Sequence, residues 1–282
     1  MILVFGETGQ LARELAAQGG TVCLGRDLAD FTDPYGPVAR VEDTGADAVI
    51  IAAAYTAVDK AESEEDLATT VNAEAPGAIS RACAARGLPV VYVSTDYVFD
   101  GSGEAPWQPG DAPAPLNAYG RSKLAGEEMV RAAGGTYAIL RTSWVVSAHG
   151  NNFVKTMLRL GKERERLTIV ADQTGAPTPA RDIAAACLEI ARQLIKDPGK
   201  SGTYHFAGGP ETSWADFARE IFAQADVACT VEDIPTSAYP TPAARPLNSR
   251  LDCTALDTVF GIPQPDWRLG LNDILKDLGE LS

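Results

Sequence analysis

Tyr119 and Lys123 stand one helical turn apart in Asn117-Ala118-Tyr119-Gly120-Arg121-Ser122-Lys123. Side chains at that spacing share a helix face, with Cβ atoms roughly 5 to 6 Å apart. An ammonium beside a phenol favours the phenolate. The hydroxyl, with an ordinary pKa of about 10, then becomes a readier proton donor to an alkoxide forming in front of it. In this reading Tyr119 is the acid and Lys123 its tuner. A surface tyrosine lying along a lysine stem would show the same spacing, so the neighbouring motifs carry the decision. Ser94-Thr95-Asp96 follows the apolar run 88–93, which puts a hydroxyl pair at the carboxyl end of a buried strand, where ligands of open α/β sheets bind. Thr95 could there hydrogen-bond the same oxygen that Tyr119 protonates.

Elements must hold these groups in place. Asn117 can cap a helix after the Pro113/Pro115 loop, and Gly134-Gly135 can stop it. At the amino end, residues 2–5 form an apolar, β-favouring run that breaks into Gly6-Glu7-Thr8-Gly9-Gln10-Leu11-Ala12 and then a helical pattern carrying Leu11 and Leu15. A strand, a glycine turn and a helix open a βαβ nucleotide site, in which backbone N–H groups and the positive helix end face a pyrophosphate. The spacing is G-x-x-G-x-x-A, with Ala12 in place of the third glycine, and Gly6, Thr8, Gly9, Gln10 and Leu11 are the expected cofactor contacts. An ordinary βα turn is the plainer alternative. The second strand, 21–24, ends at Gly25-Arg26, where an NAD-selective site carries an acid against the ribose 2′-hydroxyl. Gly25 leaves room and Arg26 offers a guanidinium to a 2′-phosphate, which favours NADPH over NADH; Asp27 could instead occupy that arginine. Asp30 and Phe31 follow where adenine could lie, or form a solvated loop.

Residues 47–54 make the third strand, apolar throughout at Val49-Ile50-Ile51 as a doubly covered parallel sheet requires. Its end, Ala52-Ala53-Ala54-Tyr55, is small enough to let a ring or ribose approach the crevice. The acids of 62–66 read as the favourable N-terminal charge of the next helix, not as a metal site. A Pro- and Gly-rich loop, 101–115, is long enough to cover the cleft. After a strand at 137–140 the alternation thins: helix 153–160, extended 167–170, a loop 172–179 with Pro177 and Pro179, amphipathic helix 181–195, strand 203–206, helix 214–225 and a Pro-rich stretch 239–250. The expected fold is α/β, a Rossmann-like doubly wound parallel sheet over 1–145 with 180–206 returning to it. A smaller C-terminal substrate-binding domain takes 146–179 and 207–282, and the cleft lies between.

With 24 Lys+Arg against 38 Asp+Glu the net charge is −14, which repels nucleic acid and anionic membranes. Any anionic ligand must be held by local cations and helix N-termini. Five dispersed cysteines and only His149 and His205 read as reduced thiols of a cytoplasmic protein, without disulfide framework or zinc. No apolar run approaches the roughly 18 residues that span a bilayer, and the opening residues lack a signal sequence.

Taken together, Gly6-x-x-Gly9, Ser94-Thr95-Asp96 and Tyr119-x-x-x-Lys123 resemble the extended short-chain dehydrogenase/reductase family over essentially the whole chain. Gly9-Gln10-Leu11, Ala53 through Glu62, Arg141-Thr142-Ser143-Trp144-Val145, Asn151-Asn152-Phe153 and the run Pro240 through Ser249 resemble more narrowly its branch of nucleotide-sugar reductases. The resemblance implies reduction by NADPH of the C4 ketone of dTDP-4-dehydro-L-rhamnose, a step toward cell-surface polysaccharide. It implies that Tyr119 protonates the oxygen, Lys123 holds the nicotinamide ribose and Thr95 orients the carbonyl. It places the hexose near Tyr55, Thr56, Val58, Asp96 and Trp144, and the diphosphate near Arg245, Asn152 and Asn248. The missing acid at Gly25 leaves NADH disfavoured. Some relatives dimerise through a glutamate-bound magnesium, which Glu14 and Glu189 could match, so monomer and homodimer both stay open. Two rivals remain: an epimerase or dehydratase on the same scaffold, and a non-catalytic NADP-binding regulatory subunit. A dehydratase wants a second carboxylate where Tyr97 follows Asp96, and a binding module has no need of a proton donor.

Overall fold

Strand β1 (Ile2–Phe5) is buried along its whole length and pairs in parallel with β2 (Thr21–Leu24) on one side and β3 (Ala48–Ile51) on the other. Strands covered on both faces must be apolar at every position, and β1 and β3 are. Beyond β3 lie β4 (Val90–Thr95), β5 (Tyr137–Thr142) and β6 (Gly202–His205), all parallel, in the order 6-5-4-3-1-2. The computed structural model describes residues 1–43 and 45–281. Strand order reverses beside β1, and open α/β sheets leave a crevice at that point, past the carboxyl ends of the strands. Strand β3 is shorter than the sequence reading, because Ala52 and Ala53 N–H both turn to the Phe5 carbonyl, at 3.0 and 2.7 Å, and so leave the ladder.

Side-chain alternation builds the two covering layers. Val4, Ile50, Val91, Ala138 and Leu140 meet helices α1 (Gln10–Gln18) and, later in the chain, α5 (Ala180–Lys196). Phe5, Ile51, Tyr92 and Ile139 meet α2 (Ala75–Ala85) and α3 (Ala118–Ala132) on the opposite face. A further core gathers α4 (Phe153–Glu163), α6 (Trp214–Gln224) and α8 (Trp267–Asp277) around Met157, Phe217, Trp267 and Leu271. It is flanked by a parallel pair of strands, Arg166–Val170 with Thr230–Ile234; the second of these was not legible in the sequence. Helix α7 (Thr254–Phe260) departs from the expected division of the chain. Its Leu256 and Phe260 pack into the core of the six-stranded sheet, and the Phe260 ring stands 5.1 Å from that of Tyr204 on the edge strand β6. An edge strand needs cover, and α7 supplies it.

The expected single helix after residues 62–66 arrives in pieces: Val58–Ala61, Glu65–Thr69, a π-helical turn Thr70–Glu74, and then α2. Asn72 in that turn is buried, and its carbonyl accepts the Tyr92 hydroxyl at 2.7 Å. Its carboxamide brackets Tyr55 through both backbone groups, at 2.8 and 3.0 Å, and donates to Ser122 at 2.9 Å. Helix α3 can approach only because residue 126 is glycine, since a Cβ there would run into the Asn72 carbonyl and the Tyr92 hydroxyl. The same helix starts as the sequence requires, with the Asn117 side chain accepting from Gly120 N–H at 2.8 Å. Gly126→Val should therefore destabilise the fold by about 1–3 kcal/mol, read as a lower urea midpoint at unchanged slope; an unaltered midpoint would contradict this packing.

Candidate active site

Helix α3 lays Tyr119 and Lys123 beside the end of β4, where both line a cavity of about 910 Å³ together with Thr95, the glycine turn and the ends of β1, β3 and β5. Thr95 and Tyr119 face the same cavity, and of the groups around Tyr119 it is Thr95 that draws its pKa down. Thr95 Oγ1 donates to Asp96 Oδ1 at 3.0 Å and accepts from Tyr97 N–H at 3.2 Å. Burial pushes the Tyr119 phenol well up, and Thr95 opposes that. The phenol thus holds its proton until a stronger base forms beside it. Spacing assigned its tuning to Lys123, whereas the group that lowers its pKa here is Thr95. The ammonium is engaged elsewhere: Nζ donates to the Val93 carbonyl at 2.7 Å and stands 4.0 Å over the Tyr92 ring.

Lys123 is almost wholly buried, and burial pushes its pKa down to about 7 against the opposing pull of Glu127. Glu127 lies beneath it with no exposed surface. Its carboxylate takes Arg141 Nε and Nη2 at 2.8 and 2.7 Å, Arg131 at 2.7 Å and Ser94 Oγ at 2.7 Å. Burial would raise this carboxyl's pKa, but Arg141, Ser94 and Arg131 together outweigh it and the group stays below its usual range. Sequence reasoning missed this cluster. Its signal was there: Glu127 is four residues beyond Lys123, and Arg141 is a charge at an inward position of an apolar strand.

Every residue assigned to a cofactor from the sequence lines the cavity. Gly6 has φ 131°, and a Cβ on it would press to 3.3 Å on Ala53 N. Gly9 opens α1 with no side-chain cap, so the first N–H groups of that helix are left to a ligand. That uncapped end beside an open glycine fits a pyrophosphate. Arg26 pairs with Asp30 at 3.3 Å, not with Asp27, and Phe31 is buried against Phe5 at 5.7 Å between rings.

Of the expected substrate contacts, Thr56, Val58, Thr95, Asp96 and Trp144 line the cavity, while Asn152, Arg245 and Asn248 do not. Asn152 caps α4 and donates to Gln10 Oε1 at 2.8 Å, joining that helix to the glycine turn. Arg245 is held by Asp59 at 2.9 Å. Asn248 is buried and donates to the Ser102 and Ala105 carbonyls, so it clamps the loop after β4. Sequence reasoning did not bring Trp214 to the site, yet it also lines the cavity and stacks on Trp144 at 3.7 Å. Trp144 takes φ 46°, a left-handed conformation rare for a bulky residue. Gly175 makes room for it: a Cβ there would lie 3.1 Å from the indole.

The suggested magnesium ligands are otherwise engaged. Glu14 takes Ser147 at 3.4 Å and Arg181 at 3.7 Å, and Glu189 accepts from Gln193 at 2.8 Å. Among the described residues no group of three or more His, Cys, Asp or Glu is arranged to hold a metal.

Compared with known proteins, the chain matches the family described as RmlD substrate binding domain over residues 1–280. The chain belongs to this family. The dTDP-4-dehydrorhamnose reductase of Salmonella typhimurium is 43% identical over 98% of this chain and 97% of its own. Among solved structures, the dTDP-4-dehydrorhamnose reductase of Clostridium acetobutylicum superposes with a TM-score of 0.92 at 36% identity, covering 99% of both chains. That of Bacillus anthracis, solved in complex with NADP, gives 0.90 at 36% identity over 98% of each.

One carboxyl stands out in this RmlD-family cavity. Asp96 is buried, its Oδ2 has no hydrogen-bond partner, and burial pushes its pKa up to about 6 although Ser249 and Thr95 draw it down. A folded-state pKa raised from 3.8 gives stability that is complete below the unfolded value and lost as pH rises through about 6. The difference corresponds to about 3 kcal/mol. Asp96→Asn should therefore stabilise the fold at pH 8 and gain little at pH 4, compared by denaturant midpoints; an equal gain at both would remove the buried charge as the cause.

Proposed function

We propose that this chain reduces the C4 ketone of dTDP-4-dehydro-L-rhamnose with NADPH, giving dTDP-L-rhamnose for cell-surface polysaccharide. The observation that carries the reading is the placing of Thr95, Tyr119 and Lys123 in the wall of the same cavity as the uncapped end of α1. The named relatives, including one solved with NADP, support it. NADPH, when bound, supplies the hydride. The protein does the rest. Gly6, Gly9 and the first turn of α1 hold the pyrophosphate, and Ala52–Tyr55 give the adenosine side a flat approach.

Thr95 Oγ1 orients the ketone oxygen, and Tyr119 gives its proton to that oxygen as negative charge develops there. Lys123 leaves the Val93 carbonyl for the nicotinamide ribose and adds positive charge beside the phenolate that forms. Trp144 and Trp214 wall the hexose and exclude water. Arg245 exchanges Asp59 for the substrate diphosphate. A non-catalytic nucleotide-binding role would leave a phenol and a threonine facing the cavity together to no purpose. Free thiols at all five cysteines agree with a cytoplasmic place, where NADPH is available. Among the described residues no helix is long and apolar enough to cross a membrane.

Tyr119→Phe should cut reduction of the keto sugar by about 10²–10⁴-fold while NADP⁺ titrates as before; a near wild-type rate would end the assignment. The lysine gives a second test. Because Lys123 must be charged and its pKa is about 7, kcat/KM for NADPH should fall as pH rises through neutrality. A profile flat to pH 9 would show that its charge is not needed.

A further inference from the structure

The end of β2 is where a nicotinamide site tells a ribose 2′-hydroxyl from a 2′-phosphate. Gly25 stands there, and without an acid at that position the sequence reads as an NADPH site. The fold brings an acid in from elsewhere. Glu7, second residue of the glycine turn, reaches across from the end of β1, and a Cβ on Gly25 would collide with Glu7 Oε2. The same point lies 2.8 Å from Asp27 Oδ1. Two carboxylates therefore fill the space that Gly25 opens. Arg26, the cation that would balance them, turns aside to Asp30 at 3.3 Å, and Asp30 is itself fixed by Thr32 N–H at 2.9 Å. Glu7, Gly25, Arg26 and Asp30 all line the large cavity, on the side of the uncapped α1 end.

We propose that Glu7 is a specificity-determining residue for the cofactor: its carboxylate accepts the ribose 2′-hydroxyl and admits NADH beside NADPH. This rests on the reductase reading. A hydroxyl donating to a carboxylate makes a charge-assisted bond, which a 2′-phosphate cannot make. The phosphate meets like charge from Glu7 and Asp27 instead, and it recovers attraction only by drawing Arg26 off Asp30. Glu7 is exposed on its turn, so its replacement leaves the core untouched.

The test titrates the full-length protein, free of nucleotide, with NADP⁺ and with NAD⁺ by calorimetry, for wild type, Glu7→Gln and Glu7→Lys. The ratio Kd(NAD⁺)/Kd(NADP⁺) should rise by about fivefold in Glu7→Gln and further in Glu7→Lys, with added salt shrinking the difference from wild type. Ratios for both variants within twofold of wild type would overturn the proposal. A parallel assay on dTDP-4-dehydro-L-rhamnose should show the same change in the ratio of kcat/KM for the two reduced cofactors. Should no form turn over that sugar with either cofactor, the reductase reading falls, while the binding ratios still decide the role of Glu7.

Discussion

A carboxylate without access to water, Glu127, fixes α3 against the sheet. Its four hydrogen bonds reach β4 through Ser94, β5 through Arg141 and its own helix through Arg131. Taking one partner from such a cluster typically costs about 3–5 kcal/mol, because a buried charge is left alone. The clamp sets register as well as stability. Tyr119, Lys123 and Glu127 are successive steps of four along one helix face. They meet three consecutive residues of β4: Tyr119 at Thr95, Lys123 at the Val93 carbonyl, Glu127 at Ser94. Neither member of the proposed proton-donor pair can slide relative to the strand end while Glu127 is held.

That register imposes an electrostatic cost on the site. Lys123 is buried far enough to lose much of its basicity, and Glu127 is the charge that opposes this. Tyr119, partly buried at the cavity wall, is pushed the other way, toward retaining its proton. A lysine near neutrality beside a tightly protonated phenol is an arrangement poised for an incoming negative oxygen. The glycine at 126 and the π turn that holds Asn72 belong to the same construction. They bring the crossover after β3 close enough for Asn72 to hold Tyr55 at the rim and Ser122 beside Lys123.

What the sequence disclosed follows the range of the interactions. Tyr119 with Lys123, the Asn117 cap and the glycine turn are relations among residues a few places apart, and spacing alone carries them. Glu7 over Gly25 is not such a relation: the two meet only because β1 and β2 are neighbours in the sheet. Trp214 lies seventy residues beyond Trp144, and nothing near it in the sequence marks the stack. Arg245 and Asn248 were placed on the substrate by resemblance, but their partners Asp59, Ser102 and Ala105 come from distant segments. A polar residue in a proline-rich stretch shows that it will find a partner, not which one. The π turn and α7 escaped for a related reason, since each depends on a surface that another part of the chain provides.

The net charge of −14 set a problem for anionic ligands, and Arg26 on the cavity lining is a cation that a phosphate could reach by exchange. Arg26 is paired with Asp30 in a contact open to solvent, and Arg245 with Asp59 in one that is half-closed. Exposed pairs contribute little net stability, so a phosphate that offers more oxygens and more charge can take the guanidinium from its carboxylate at small cost. Arg141 is the contrast. Its pair with Glu127 is sealed from water, and no ligand could draw it off without stranding a buried charge. Arg26 and Arg141 thus stand for two uses of a guanidinium: an exposed one that a phosphate could recruit, and a buried one committed to holding α3. Only the first kind is free to meet a phosphate, and the Glu7 and Asp27 carboxylates that crowd Gly25 beside Arg26 weigh against it there.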